Sequence, residues 1–171
     1  MARIGSVDTA SSLILGVGIG LSGLMLAGCG RPQQAPAVEY TLLDGKHASL
    51  GELRGKVVLV NFWATDCAPC IEEMPRLAAT WRAYAPRGFE TLAVSMSYDP
   101  PFAVANFAES RRLPFGVVID NTGAIADQFG DVRLTPTTVL IDKHGQIVGR
   151  WLGSPDFEML NRRIEQLLAE T

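Results

Sequence analysis

The sequence predicts an α/β fold in which a central mixed β-sheet is covered by helices on both faces. Residues 57–64 (VVLVNFWA) form a nearly continuous apolar run, which is typical of a strand buried on both sides. Residues 68–84 follow with apolar side chains three and four positions apart, which indicates a helix lying on one face of the sheet. A second strand and helix, then a hairpin and a last helix, complete the pattern of such a sheet.

The first half of the predicted domain alternates strands with helices. Residues 39–43 indicate a strand that ends at an Asp-Gly turn. Pro101 suits the first turn of a helix, and Pro114 ends that helix because proline cannot continue it. The elements expected here are, in chain order, a strand at 39–43, the buried strand at 57–64, a helix at 68–84 kinked by Pro75, a strand at 90–97 and a helix at 101–113.

The second half is expected to close the sheet with an antiparallel hairpin. The β-branched stretch 137–141 predicts a strand, and Lys143-His144-Gly145 joins it to the next strand through a hairpin-type turn. A last amphipathic helix carries its apolar residues on one side. The elements expected here are a strand at 117–119, a helix at 124–129, strands at 137–141 and 146–151, and a helix at 156–168.

Composition describes one ordinary globular domain. The chain has 171 residues, of which 47% are hydrophobic and 19% are charged, and its formal net charge is −3. It has no dense block of Lys and Arg, which is the electrostatic signature of a nucleic-acid or anionic-membrane binding surface. We therefore expect no nucleic-acid partner and a single folded domain at residues 38–171.

The N-terminal segment has the character of an export signal. Residues 9–28 carry no charge, and an apolar core at 13–26 is followed by Ala27-Gly28-Cys29. The Leu-Ala-Gly-Cys run resembles the lipobox of bacterial lipoproteins, which implies a signal peptide at 1–28, cleavage before Cys29 and lipidation of that cysteine. The Pro- and Gln-rich stretch 29–37 is expected to be a flexible tether. An uncleaved transmembrane anchor is the alternative, and both alternatives place the domain outside the cytoplasm.

Cys67 and Cys70 stand at the junction of the buried strand and the helix that follows it. The amide groups and dipole of a helix N-terminus favour a thiolate there, so Cys67 is expected to be a nucleophile. Cys70 lies one turn further along and is expected to be the resolving thiol that expels a bound partner. Pro69 fits the first helical turn. If Cys29 is acylated, an oxidising compartment should leave the pair as a disulfide.

Other uses of this cysteine pair are less well supported by the sequence. A zinc site needs two more ligands, and outside the pair the mature domain offers no other free cysteine and only His47 and His144. A purely structural bridge over so short a loop would constrain few unfolded conformations and would stabilise little. We therefore expect no bound metal.

The chain resembles the thioredoxin-fold disulfide oxidoreductases over about residues 38–170, and within them the membrane-tethered TlpA/ResA-like branch. The resemblance rests on NFWAT-x-C-x-P-C at 61–70, on Thr-Pro-Thr-Thr at 135–138, and on the insertion, with an extra strand and helix, before Pro114. It implies that Pro136 is cis and faces the disulfide, and that the Thr135 backbone pairs with the substrate chain. Ala68, Pro69 and Trp63 are expected to complete the substrate-binding surface. A trans proline starting a strand is the alternative for Pro136.

The same resemblance assigns a role to an acidic residue near the cysteines. Glu73 lies three residues after Cys70, hence on the same helical face. A buried carboxylate there could accept the proton of Cys70, as the Glu of ResA-like members implies, whereas a solvated first-turn acid is the alternative. Asn61 stands where thioredoxin has a buried acid. Asp66 replaces the Trp usual before the first cysteine; it opposes the thiolate and should make the pair more reducing.

These features predict a lipid-anchored, envelope-facing thiol–disulfide oxidoreductase that needs no bound cofactor. The resemblance implies cysteine-containing envelope proteins as substrates, either apocytochrome c or copper-site proteins. It also implies a membrane thiol transporter of the DsbD or CcdA type as electron donor. A peroxiredoxin-like peroxidase and a module that binds Cu(I) through Cys67 and Cys70 are the alternatives.

Overall fold

The computed structural model of the protein describes residues 33–170. The predicted signal peptide and Cys29 lie outside this range. The strands are β1 (Gln33–Gln34), β2 (Glu39–Thr41), β3 (His47–Ser49), β4 (Val57–Trp63), β5 (Phe89–Ser95), β6 (Gly116–Ile119), β7 (Thr137–Ile141) and β8 (Gln146–Leu152). The α-helices are α1 (Ala68–Tyr84), α2 (Pro101–Arg111), α3 (Ala124–Gln128) and α4 (Phe157–Ala169).

The central sheet is mixed, as the sequence predicts. Its six strands lie in the order β1-β8-β7-β4-β5-β6. Strand β5 is parallel to β4 and β6 is parallel to β5, whereas β7, β8 and β1 are each antiparallel to their inner neighbour. All seven residues of β4 are buried, because β4 has a partner strand on either side and a packed layer on either face. Strands β2 and β3 form a separate two-stranded sheet.

The continuous apolar run of β4 supplies two cores at once. Successive side chains of a strand point to opposite faces. Leu59 and Trp63 accordingly belong to one buried cluster, which the main apolar side chains of α1 and α4 complete. Val60 and Phe62 belong to the other, which contains residues of β2, of α3 and of the 3-10 turn Leu50–Leu53. The helices and the small sheet thus cover both faces of the central sheet.

The start of the folded domain differs from the expectation. Gln33 pairs with Ile147 and Gln34 with Gln146, and the amide of Ala35 donates to the carbonyl oxygen of Gly145 over 2.9 Å. The expectation of a flexible tether up to residue 37 is therefore wrong for residues 33–35, which pair with β8 and with the turn before it. Main-chain pairing with the open edge of β8 needs no apolar side-chain pattern. The polar sequence therefore did not predict this strand.

The remaining elements lie within a few residues of their predicted positions. The first predicted strand ends at Thr41 rather than at residue 43, and it pairs with β3, which the sequence did not reveal. Helix α1 continues through Pro75 to Tyr84. Helix α2 occupies the insertion before Pro114. Within residues 33–170, no helix combines the length and the apolar composition needed to cross a bilayer.

The amphipathic helix α4 gives a direct test of this core. Leu160 is fully buried, whereas its neighbour Met159 is 59% exposed. Leu160→Ala should lower the free energy of unfolding by about 2–5 kcal/mol, because it removes buried methyl groups and leaves a cavity. Met159→Ala should change it by less than about 0.5 kcal/mol. Urea denaturation of both variants measures the difference, and equal losses would contradict the packing described here.

Candidate active site

The end of β4 and the start of α1 hold the two cysteines in a fixed geometry. Cys67 is the N-cap residue of α1, with extended backbone angles. Its sulfur accepts a hydrogen bond from the amide of Cys70 over 3.3 Å, in the place of the side-chain oxygen that usually caps a helix. Pro69 occupies the first turn, where an amide hydrogen would have no helical partner. A thiolate at Cys67 would receive the same amide and would face the positive end of the helix dipole.

Cys67 and Cys70 form a disulfide with an S–S distance of 2.04 Å. The two sulfurs differ in their access to solvent. Cys70 is fully buried in the cluster beneath α1, whereas Cys67 is half-buried and is followed by the exposed residues Ala68 and Pro69. An incoming protein can therefore reach Cys67 but not Cys70. This asymmetry agrees with the predicted division into an attacking and a resolving thiol.

Pro136 lies at the same end of the central strands as the disulfide. Strand β7 is antiparallel to β4 and Thr137 pairs with Phe62, so the residue before Thr137 meets the end of β4. The Thr135–Pro136 peptide bond is cis, as the resemblance implied. Pro136 is buried and its carbonyl oxygen accepts from the amide of Gly153 over 2.8 Å, while Thr135 is half-buried. The geometry leaves part of Thr135 available to a docked chain.

Trp63 does not contribute to this surface, which corrects one expectation. Its side chain is fully buried, and its ring centroid lies 5.0 Å from that of Phe107 in α2. The side chain of Trp63 points to the face of the sheet that α1, α2 and α4 cover, because it alternates with Phe62 along β4. Two exposed leucines instead flank Pro136: Leu134 is 64% exposed and Leu152 is 70% exposed. No sequence pattern points to these two leucines, since neither belongs to a motif.

Glu73 is a buried carboxylate. It is 2% exposed, and its Oε1 accepts a hydrogen bond from Nδ2 of Asn61 over 2.8 Å. Nδ2 of Asn61 also donates to Oγ1 of Thr138 over 3.1 Å, which joins α1, β4 and β7 through one amide. The alternative of a solvated acid is therefore wrong for Glu73, although its neighbour Glu72 is exposed. The spacing of three residues puts Glu73 on the inward face that Cys70 shares.

Burial changes the acid strength of Glu73. Removal of the carboxylate from water raises the pKa of Glu73, because burial disfavours the charged form. The side chains of Ser154 and Asn61, together with the charge of Arg76, oppose this rise without cancelling it. A carboxyl group with a raised pKa is better matched to proton exchange with a thiol than a carboxyl group of ordinary pKa. Thr138 completes this polar group; the sequence analysis placed it in the motif at 135–138 but did not anticipate its contact with Asn61.

The two histidines lie apart from the cysteines. Nδ1 of His47 is 2.9 Å from Oγ1 of Thr41 in the small sheet, and His144 lies in the turn between β7 and β8. In the part of the chain that the structure describes, no group of three or more His, Cys, Asp and Glu side chains is placed to hold a metal ion. Asp66 is exposed in the turn that precedes Cys67.

Comparison with protein families and curated proteins agrees with this site. The redoxin family model matches residues 32–164. The chain is 37% identical over 136 residues to the thiol-disulfide oxidoreductase ResA of Halalkalibacterium halodurans, covering 78% of this chain and 76% of that protein. It is also 37% identical, over 133 residues, to the ResA of Geobacillus kaustophilus, covering 78% and 75% of the two chains.

Comparison with solved structures identifies the same fold. The solution structure of a putative thioredoxin from Neisseria meningitidis superposes with a TM-score of 0.76 at 36% identity, covering 81% of this chain and 93% of that one. The crystal structure of a putative thiol:disulfide interchange protein DsbE from Chlorobium tepidum superposes with a TM-score of 0.74 at 27% identity, covering 81% and 97%. The chain belongs to the redoxin family, as a TlpA/ResA-like thiol–disulfide oxidoreductase with the thioredoxin fold.

Proposed function

We propose that the protein reduces disulfides of other envelope proteins through Cys67 and Cys70. The thiolate of Cys67 attacks one sulfur of the partner's disulfide, so a mixed disulfide forms and the partner's other sulfur leaves as a thiolate. Cys70 then attacks the sulfur of Cys67, closes the intramolecular disulfide and releases the second partner thiol. The partner gains two electrons and two protons, and the cysteine pair loses them. The observation that carries this proposal is the unequal exposure of the two sulfurs.

The surface around Cys67 is suited to an extended polypeptide. Ala68 and Pro69 are exposed on one side of Cys67, and Thr135 and Pro136 lie at the same sheet edge. In this proposal the Thr135 backbone pairs with the substrate chain and Pro136 shapes the groove beside the disulfide. Main-chain pairing of this kind gives affinity with little dependence on the substrate's side chains.

Glu73 has the proton-transfer role in this proposal. Cys70 must lose its proton before it can attack, and it is buried where solvent does not reach it. Glu73 lies on the same face of α1, one turn further on, and its raised pKa suits exchange with a thiol. Asn61 holds the carboxylate in place through its amide.

The proposed location is the bacterial cell envelope. Residues 1–28 act as a signal peptide and Cys29 carries the lipid, as the lipobox implies. Four residue steps separate Cys29 from Gln33, where the sheet begins, so the anchor reaches at most about 14 Å. A membrane thiol transporter of the DsbD or CcdA type then reduces the Cys67–Cys70 disulfide back to two thiols. The substrates are apocytochrome c or copper-site proteins with a disulfide to be reduced.

Cys70→Ser should trap the partner as a mixed disulfide, because the thiol that expels it is gone. In envelope extracts the variant should give adducts that migrate slowly on non-reducing gels and disappear with dithiothreitol. Mass spectrometry of these adducts names the substrates. Cys67→Ser is the matched control and should give none, since its remaining thiol is buried. Equal adduct formation by both variants would contradict the assignment of the attacking thiol.

Cys29→Ser should release the domain from the membrane if Cys29 is the lipidated residue. The wild-type protein should partition into a detergent phase and incorporate labelled fatty acid, and the variant should do neither. Exchange of the Cys67–Cys70 pair with glutathione should be unchanged, because Cys29 precedes the pair by 38 positions and belongs to the proposed anchor rather than to the redox motif. A variant that stays in the membrane fraction without label would indicate a retained transmembrane anchor.

Glu73→Gln should change how stability depends on pH. A carboxyl group whose folded pKa is raised holds a proton that the unfolded chain has released. Its contribution to stability is therefore complete below the unfolded pKa of about 4.3 and is lost as the pH rises through the folded pKa. The melting temperature of Glu73→Gln, relative to wild type, should rise with pH across this window.

Glu72→Gln provides the matched control for this measurement. Glu72 is exposed and adjacent, so its replacement should leave the shape of the pH profile unchanged. Calorimetric scans of the three proteins from about pH 4 to pH 8 cover the window set by an ordinary and a raised carboxyl pKa. Parallel profiles for wild type and Glu73→Gln would show that the pKa of Glu73 is the same in the folded and unfolded chains, and would contradict its proposed role.

A further inference from the structure

A second buried carboxylate lies beside the redox site and has no role in the exchange described above. Asp99 follows β5 and precedes α2, and its side chain is 5% exposed. Its Oδ1 accepts hydrogen bonds from the amide of Thr65 over 3.1 Å and from the hydroxyl of Thr65 over 2.7 Å. Its Oδ2 accepts from the same amide over 2.9 Å. A buried carboxylate is costly unless it is hydrogen-bonded, and here one residue supplies all three contacts that the described chain makes to it.

Thr65 belongs to the turn that ends at the reactive cysteine. The amide of Cys67 donates to the carbonyl oxygen of Ala64 over 3.2 Å, which closes a turn with Thr65 and Asp66 at its centre. Just before this turn, the carbonyl oxygen of Trp63 accepts from the amide of Met96 over 3.0 Å. The turn is therefore joined to the β5–α2 loop through Asp99, and Cys67 is its last residue.

We propose that Asp99 is a positioning residue that holds Cys67 at the N-terminus of α1 when the disulfide is open. In the oxidised protein the S–S bond itself ties Cys67 to α1. In the reduced protein that bond is absent, and the hydrogen bonds from Thr65 to Asp99 keep the turn against the sheet. Cys67 then stays close to Cys70 and to the helix dipole, which favours both the thiolate and closure of the disulfide. This inference rests on the proposed role of Cys67 as the attacking thiol.

The carboxylate of Asp99 has two separable effects on Cys67. A negative charge close to a thiolate disfavours that thiolate. The hydrogen bonds of Asp99 hold the turn and thereby favour the thiolate. Asparagine has nearly the same shape and keeps one oxygen, so Asp99→Asn removes the charge and retains an acceptor for Thr65. Asp99→Ala removes both, so the comparison of these two variants isolates the hydrogen bonds.

The experiment measures the equilibrium of the Cys67–Cys70 pair with reduced and oxidised glutathione. This equilibrium gives the effective concentration of the two thiols, which measures how readily they close the disulfide. Asp99→Ala should lower the effective concentration roughly fivefold or more relative to Asp99→Asn. Thr65→Val should lower it by roughly twofold or more relative to Thr65→Ser, because only serine keeps the hydroxyl donor. Thiolate absorbance against pH should place the Cys67 pKa of Asp99→Asn below that of wild type and that of Asp99→Ala above that of Asp99→Asn.

Asp120→Ala is the control for a general loss of stability. Asp120 is another buried carboxylate, 3% exposed, and it accepts from the amide of Ala126 in α3 rather than from the redox turn. Its loss should lower the melting temperature and leave the glutathione equilibrium unchanged. If Asp99→Ala fails to fold, the comparison of Thr65→Val with Thr65→Ser decides the question.

Equal equilibria and equal pKa values for Asp99→Ala and Asp99→Asn would overturn the inference. So would equal values for Thr65→Val and Thr65→Ser, or a loss as large in Asp120→Ala. In each of these cases the wild-type pair still exchanges with glutathione, so the proposed function stands. A wild-type pair that does not exchange would overturn the proposed function and this inference together.

Discussion

The chemistry of this protein depends on the contact between the sulfur of Cys67 and the first turn of α1. Helix N-termini leave amide groups without partners inside the helix, and a side-chain oxygen usually satisfies one of them. Here the sulfur of Cys67 accepts from the amide of Cys70, so the reactive atom is also the helix cap. The buried strand β4 brings the chain to this point and the sheet holds it there. In the proposed function, the same contact both positions the attacking sulfur and favours its charged form.

The site combines groups of very different exposure. Cys67 is accessible, Cys70 is fully buried, and Glu73 is buried with its carboxylate held by Asn61. In the proposed function, burial of Cys70 restricts a partner to the sulfur of Cys67, which gives the exchange its order. Burial of Glu73 costs free energy, because a carboxylate loses its hydration, but it also brings the pKa towards that of a thiol. The same packing thus stabilises the fold, buries Cys70 and raises the pKa of Glu73.

In the proposed function, the short segment between Cys29 and β1 joins the folded domain to the membrane. Strand β1 runs along β8, so the chain is already part of the sheet at Gln33, a short distance after Cys29. In the proposed function, the lipid on Cys29 and a reach of at most about 14 Å would keep the domain close to the lipid surface, whereas a long free tether would let it sample a large volume. That position would suit the proposed exchange with a membrane electron donor and with proteins nearby.

The sequence by itself determined the fold class and the reactive pair. The apolar run at β4, the helical spacing of α1 and the Cys-x-x-Cys at their junction are local patterns, and local patterns report local structure. The expectation that Pro136 lies beside the redox pair came instead from the resemblance of residues 135–138 to a motif of the thioredoxin-fold oxidoreductases. The polar strand β1 and the partner strand β3 carried no such pattern, because main-chain pairing with an available edge is independent of side-chain type.

Only the tertiary structure decided which side chains of the site are buried and what they contact. Trp63 and Glu73 were ambiguous in sequence, since a residue near a site can point to solvent or to the core. Packing against α2 buries Trp63. The carboxylate of Glu73 is buried where it accepts from Asn61, whose amide also donates to Thr138. Asp99 lies more than thirty residues from Thr65 along the chain, and no spacing rule joins them. Contacts between distant segments depend on how the sheet and helices assemble, and that information is distributed over the whole chain.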